Sequence, residues 1–530
     1  MANNLYSLLE TAAARWPERV FVEFLGREYT YADMAAMADE VARCLKAHGL
    51  QPRDRVALCL PNCPYYVAFF YGVLKAGGVL VNINPLYTPA EIAAQLADSG
   101  SRVVVTVDVP MMTDKLLEVR KTSPELGVVV CSLGGCMPRL QGWLYGLFKA
   151  AKVAFGGGVM HHRDFLLPPG ENLIFAKLKT PAKAVDMPED LALLQYTGGT
   201  TGTPKGAMLT HANLLANTAQ CVDRLSSDKP ERIMGVLPLF HVFALTSSLL
   251  MGAALGAVLI LLPRFTPASL LKKIKASRPT LLPGVPALFD ALIALPEMRK
   301  SDFDGIACAV SGGAPLPPAV KQRFEAATGV ILREGYGLTE ASPVVACTLT
   351  TRQKPGSVGP AMKETLIEIR DAEGKALANG ETGEIWAKGA QVMAGYWNNP
   401  AETALVLKKG WLFTGDLGHL DAEGWLFVTD RQKDLIIVNG YKVYPRVVEE
   451  VLQAHPAVAE VLVAGIAHPQ KGEVPKAFIR VQEGATVTAA EITAYAAAHL
   501  NPMERPAEVE FRDSLPKTFI GKPSRKLLKT

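Results

Sequence analysis

Between Tyr196 and Gly206 the sequence reads YTGGTTGTPKG, eleven residues that hold four glycines, four threonines and one lysine. Such a loop offers closely spaced backbone N–H groups, hydroxyls and a single cation, the equipment that cradles phosphate. The strict P-loop pattern, Gly-x-x-x-x-Gly-Lys-Ser/Thr, needs a hydroxyl directly after the lysine to reach Mg²⁺. Here Gly202 is followed by Thr203 and Lys205 by Gly206, while the Gly-Lys pairs Gly374-Lys375 and Gly521-Lys522 are followed by Ala376 and Pro523. A motor or GTPase reading therefore falls. The plainer alternative is a Gly/Thr-rich surface turn, and it is the company this loop keeps that argues against it.

Five further stretches follow in order: LPLFH (237–241), EGYGLTE (334–340), TGD (414–416), DRQKD (430–434) and PKTFIGKPSRK (516–526). With the loop they resemble the adenylate-forming (AMP-binding) enzymes, a superfamily of acyl-CoA synthetases, aryl-CoA ligases, luciferases and peptide-synthetase adenylation domains. The likeness covers nearly the whole chain. LPLFHVFALT, SGGAPL (311–316) and EGYGLTE make it most similar to bacterial long-chain fatty-acid–CoA ligases.

The resemblance implies two half-reactions. A carboxylate attacks the α-phosphate of MgATP to give acyl-adenylate and pyrophosphate, and coenzyme A then displaces AMP. The first step drives an anion onto a polyanion, so fixed donors and cations aimed at the transferring phosphate lower its barrier. By resemblance, Thr197, Gly198, Gly199, Thr200, Thr201, Gly202 and Lys205 cradle the β/γ-phosphates. Glu340 and Thr200 are the Mg²⁺ ligands, and a hard cation that keeps phosphate oxygens needs few protein carboxylates. Thr339 touches the α-phosphate, and Tyr336 and Gly337 border the adenine. Asp416 accepts from the ribose hydroxyls, with Arg431 as a second ribose contact. Lys522 is the catalytic lysine carried to the site by the last domain, and Lys433 sits at the hinge position. His241 and Phe243 border the entrance for the acyl carboxylate, and Gly312 and Gly313 form a wall whose missing Cβ atoms leave room for an alkyl chain. Two positions depart from the family pattern. Val447 stands where the first of two glutamates is usual, although Glu449 remains, and Pro523 restricts Lys522 toward extended backbone.

Residues from such distant segments need a large scaffold. At 530 residues the chain is long enough for two or more domains. It is 49% hydrophobic and 20% charged, with a net charge of +4 that gives no argument for a nucleic-acid partner. The eight cysteines and nine histidines are dispersed, without a zinc or disulfide pattern. The start, MANNLYSLLE, shows no signal-peptide pattern, so a cytoplasmic location is expected, with basic-aromatic WLYGLFKAAK (143–152) as a candidate peripheral contact at the inner membrane face. Charge-free LTSSLLMGAALGAVLILL (245–262) is long enough to suggest a span. Gly252, Gly256 and Pro263 instead predict a buried helix, a turn and a buried parallel strand.

Capping signals at Thr30–Asp33 and Thr88–Glu91 predict helices that alternate with strands at 55–61, 79–83 and 102–107, a parallel doubly wound sheet. The region 128–190 reads as less regular. Glycine-rich loops after LALLQY, IACAV and VILR predict one composite site beyond the carboxyl ends of strands. Beyond 360, tight turns predict short strands. The fold class expected is α/β: a large N-terminal multi-subdomain assembly, 1–432, and a small mobile α+β domain, 433–530. The function expected is ATP-dependent activation of a medium- or long-chain fatty acid with ATP, Mg²⁺ and coenzyme A, by a monomer or homodimer. The alternatives are an aryl-CoA ligase, which would need a short flat pocket, and a non-catalytic acyl- or nucleotide-binding protein.

Overall fold

The computed structural model of the chain describes residues 4–155, 158–166, 190–197, 204–225, 231–349, 352–517 and 524–528. Two eight-stranded sheets carry the N-terminal part. One runs, in spatial order, Gly395–Tyr396, Lys205–Thr210, Leu191–Thr197, Val79–Asn82, Arg55–Leu58, Val103–Val107, Gly127–Cys131 and Val159–His161. The other runs Val344–Cys347, Leu332–Gly337, Cys308–Ser311, Leu281–Gly284, Arg232–Gly235, Val258–Leu261, Val20–Phe24 and Arg27–Thr30. Their inner pairings are parallel and the buried strands are almost continuous runs of Val, Ile and Leu, as sheets covered on both faces require.

Local signals in the sequence set the element boundaries. Thr30 accepts from the Asp33 amide and Asp33 accepts from the Thr30 amide, so helix Tyr31–Ala47 starts with both orphan donors satisfied. Thr88 and Glu91 do the same for helix Pro89–Ser99. Helix Pro64–Ala76 is apolar and buried along its whole length apart from Lys75. It bridges the two sheets: the Tyr66 hydroxyl donates to Asn82 Oδ1 (2.9 Å) and to the Leu239 carbonyl (2.8 Å). One continuous core results.

The charge-free stretch folds as the glycines predict. A π-helical turn over Leu245–Leu250 runs into helix Met251–Leu255, Gly256 turns the chain, and Val258–Leu261 is a buried parallel strand. No described helix is long and apolar enough to cross a membrane. The region after 128 is more regular than its sequence suggests. Gly127–Cys131 and Val159–His161 extend the first sheet in parallel, separated by helix Arg139–Phe148. Residues 156–157 and 167–189 of this region lie outside the described residues.

A third sheet is antiparallel, in the order Gly359–Pro360, Trp425–Arg431, Trp411–Leu420, Gly383–Lys388 and Leu366–Arg370. From Ile436 the chain builds a fourth, with helices Pro445–Gln453 and Ala489–His499 and a core of its own. Arg446, at the start of the first of these helices, reaches back to the third sheet. Its amide donates to Asp430 Oδ2 (2.7 Å) and its guanidinium to the Val428 carbonyl (2.7 Å).

Candidate active site

Strands Leu191–Thr197 and Lys205–Thr210 are antiparallel neighbours, with Thr197 opposite Lys205. Gly198, Gly199, Thr200, Thr201 and Gly202 lie outside the described residues, as does Lys522. Lys205 Nζ is 2.6 Å from Glu402 Oε2 and 5.5 Å from the centre of the Tyr396 ring. The Tyr396 hydroxyl donates to Glu340 Oε1 at 2.7 Å. Lysine, tyrosine and two carboxylates thus form one cluster, assembled because strand Gly395–Tyr396 pairs with Lys205–Thr210. Glu340 itself stands on the short turn Thr339–Ala341, directly after strand Leu332–Gly337.

Gly337 is fixed by its neighbours. A Cβ there would sit 2.0 Å from the Pro343 carbonyl oxygen, so only glycine permits the close approach that swings Thr339 and Glu340 into the site. One residue earlier, the Tyr336 hydroxyl donates to Asp416 Oδ2 (2.7 Å), and Arg431 Nε lies 2.9 Å from Asp416 Oδ1. Asp416 and Arg431 are register partners on adjacent strands, which explains their meeting across a sequence gap. Asp416 is 4% exposed, and both its oxygens are already engaged. Lys433 follows in the turn Gln432–Asp434, between the third and fourth sheets.

An apolar cavity opens beside this polar group. Its volume is about 120 Å³, and Tyr336, Gly337, Thr339, His241 and Phe243 are among its lining residues. Gly312 and Gly313 also line it. The room that Gly312 leaves, however, is taken by Phe243: a Cβ at Gly312 would lie 2.9 Å from the ring. The expected alkyl space at that point is filled by an aromatic wall. The His241 ring accepts from the Phe243 amide (3.3 Å), which turns the short helix Val242–Ala244 and aims that ring at the cavity.

The family model described as AMP-binding enzyme matches residues 9–397, and that of the AMP-binding enzyme C-terminal domain matches residues 447–522. The chain belongs to the AMP-binding enzymes. It is similar to the long-chain-fatty-acid–CoA ligase of Bacillus subtilis, 42% identical over 99% of this chain and 94% of that protein. It is also 32% identical to 4-coumarate–CoA ligase 2 of Nicotiana tabacum, over 94% of this chain and 89% of that one. Among solved structures, ATP-bound MatB from Rhodopseudomonas palustris shares 28% identity at a TM-score of 0.84, covering 100% of this chain and 98% of its own. The anthranilate CoA ligase AuaEII in complex with anthranoyl-AMP shares 27% at 0.86, covering 99% and 96%.

Three participants in this AMP-binding enzyme escaped the sequence reading. Tyr396 and Glu402, in GYWNNPAE, carry no motif of their own. Arg525 reads as one charge in a basic run, yet its guanidinium forks onto both oxygens of Glu449 (2.7 Å each) and reaches Asp434 (3.1 Å) and the Val463 carbonyl (2.8 Å). That bidentate clamp ties the segment after Lys522 to the C-terminal sheet and to the turn that holds Lys433. It also explains why Glu449 remains where Val447 departs: Glu449 is the glutamate that holds Arg525.

Glu334, at the start of EGYGLTE, is buried and accepts from the Leu316 amide (3.0 Å). Burial pushes its carboxyl up to about 7, against the pull of Arg446 and Lys321. The folded state then holds a proton that the unfolded state has lost between about pH 4.5 and 7, so stability falls as pH rises through that window. The full effect is up to about 3 kcal/mol. Urea midpoints measured from pH 5 to pH 8 are expected to decline in the wild type and to decline less in Glu334→Gln. Parallel declines would assign the slope to other groups.

Proposed function

We propose that the chain is an ATP-dependent fatty-acid–CoA ligase acting on medium- or long-chain acids. The observation that carries this reading is the mainly apolar cavity lined both by Phe243 and by the nucleotide-side residues Tyr336, Gly337 and Thr339. An alkyl chain lying in the cavity brings its carboxylate to Thr339. A carboxylate oxygen attacks the α-phosphorus, the bond to the bridging oxygen breaks, and pyrophosphate leaves. In the second half-reaction the CoA thiolate attacks the acyl carbonyl and AMP leaves.

In this reading Lys205 gives up Glu402 for the β/γ-phosphates, and Tyr336, Asp416 and Arg431 reorganise around adenine and ribose. The glycines and threonines of 197–202 supply the remaining donors. Glu340 fits Mg²⁺: it is a single hard-oxygen carboxylate, oriented by Tyr396, beside the phosphate-facing cluster. Bound there, Mg²⁺ would offset phosphate charge. The unit 433–530 turns about Lys433, bringing Lys522 to the α-phosphate for adenylation and then clearing a path for the thiol. Every residue assigned belongs to one chain, so the reading needs no second copy.

The test is AMP and acyl-CoA formation across straight-chain acids from acetate to oleate, with benzoate and a cinnamate alongside. A maximum between C8 and C18 is expected. A maximum on the aromatic acids would make the chain an aryl-CoA ligase, and no turnover with any acid would make it a binding protein.

A lipid contact fits helix Arg139–Phe148. Gly142 packs against Gly134, where a Cβ would meet the carbonyl at 2.2 Å, and the Tyr145 hydroxyl donates to the Asp108 carbonyl (3.0 Å). Leu140, Trp143, Leu144 and Leu147, at helical spacing, therefore face solvent. Arg139, Lys149 and Lys152 flank them, and no acidic residue lies between Glu125 and Asp164. Apolar stripe plus basic flank suits an anionic bilayer surface. Sedimentation with phosphatidylglycerol vesicles is expected for the wild type and at least a fivefold loss for Leu144→Asp/Leu147→Asp. Protein left in the supernatant at every lipid content would remove this contact.

A further inference from the structure

The inner end of the acyl cavity is not apolar. Strand Leu332–Gly337 lines it with Arg333, Gly335, Tyr336 and Gly337, while Glu334 turns away to the Leu316 amide. Register places Arg333 beside Val310, and Val310 beside Pro283, a row that lines the cavity four strand residues below Gly337. At the rise of a strand that row is about 13 Å from Gly337. Beside it, helix His211–Leu225 contributes Cys221, Arg224 and Leu225 at i, i+3 and i+4, and the Arg224 carbonyl accepts from Arg333 Nη2. Two guanidinium groups thus line the pocket at the end of the strand away from Gly337.

Neither is within ion-pair distance of a carboxylate among the described residues. Arg333, 3% exposed, donates to the carbonyls of Thr348 (2.6 and 3.0 Å) and Arg224 (3.4 Å) and lies 3.5 Å from Cys308 Sγ. Arg224 Nη2 donates to the Ala361 carbonyl (2.7 Å), and its Nε and Nη1 have no partner among the described residues. Neither guanidinium pairs with a carboxylate among those residues. The sequence neighbour Asp223, exposed and 3.7 Å from Lys363, favours the Arg224 charge only from beyond ion-pair distance. The thiols around the pair cannot neutralise it, because burial pushes Cys221 up to about 12 and raises Cys308 and Cys347 as well. Burial pulls the Arg224 guanidinium below its ordinary value, and the Arg333 charge pushes the same way.

A terminal methyl in this position would strip water from two like charges and offer nothing in return. A carboxylate would accept from Arg224 Nε and Nη1 and relieve the repulsion between the two cations. We infer that the cavity selects acids with a second carboxylate at the far end, α,ω-dicarboxylic acids, and that Arg224 and Arg333 are the specificity-determining residues. The inference rests on the ligase reading above and narrows its substrate class.

The test compares each dicarboxylic acid from C6 to C14 with its own monomethyl ester, equal in length but neutral at the far end, and with the matching monocarboxylic acid. The readout is kcat/KM for AMP formation. In the wild type the diacid is expected to exceed its half-ester at least tenfold at the best length. In Arg224→Leu that ratio falls to 1 or below while kcat/KM for the half-ester changes less than threefold, and Arg224→Lys keeps part of the preference. Arg333→Leu is expected to act likewise. Arg224 sits partly exposed on a helix, so its variants keep the comparison decisive where Arg333→Leu fails to fold. Diacids used no better than half-esters at every length, with monocarboxylic acids turned over, would overturn the inference and leave the ligase reading standing. No turnover of any acid would instead bring down the ligase reading, and the inference with it.

Discussion

Replacing Lys522 by alanine is expected to slow acyl-adenylate formation about 10²–10³-fold, the usual loss when one preorganised donor to a developing charge is removed. The reacting groups are both anionic, so a cation between them has most to contribute in this half-reaction. Thiol attack on the carbonyl needs no such bridge. Transfer from preformed acyl-adenylate to CoA is therefore expected to change less than threefold. Lys522 lies in sequence between two anchors: Lys517, 2.7 Å from Glu460 on the C-terminal sheet, and Arg525, clamped to Glu449 on helix Pro445–Gln453. Rapid-quench measurement of each half-reaction separates the two rates. Equal losses in both would mean that Lys522 supports the fold of that segment and not the chemistry.

Glu340→Gln is expected to be comparably severe, about 10²-fold in kcat with MgATP. The change removes a charge but keeps size, and Tyr396 can still reach the remaining oxygen. What disappears is the hard anionic ligand that a divalent cation requires. Raising Mg²⁺ is expected to recover only part of the rate. Tyr396→Phe, which loses one hydrogen bond to a charged group, should cost about 1.5–3 kcal/mol at most. Initial rates over a Mg²⁺ series would show both. Wild-type rates for Glu340→Gln at all Mg²⁺ concentrations would remove Glu340 from the metal site.

Much of this arrangement is legible in the sequence because it is written in local signals. The capping boxes at Thr30 and Thr88 set helix starts through hydrogen bonds between residues three apart. TGD and DRQKD flag residues that become register partners, Asp416 and Arg431. What stayed hidden depends on distance in sequence. Glu402 meets Lys205 across 197 positions, and Arg525 meets Glu449 across 76. Gly312 shows the same limit from another side. Its lack of a Cβ signals that something comes close, yet only the fold says that the visitor is Phe243. The arginines of the acyl cavity were equally unreadable, since a charge in a strand followed by glycines gives no sign of facing a pocket.

The decisive chemical step is the joining of a carboxylic acid to AMP before any thiol is involved. Exchange of labelled pyrophosphate into ATP, measured without CoA, tests it most directly. Exchange that depends on a fatty acid, proceeds in the absence of CoA and collapses in Lys522→Ala is the result expected. Exchange that needs CoA, or none with any acid despite bound ATP, would contradict it.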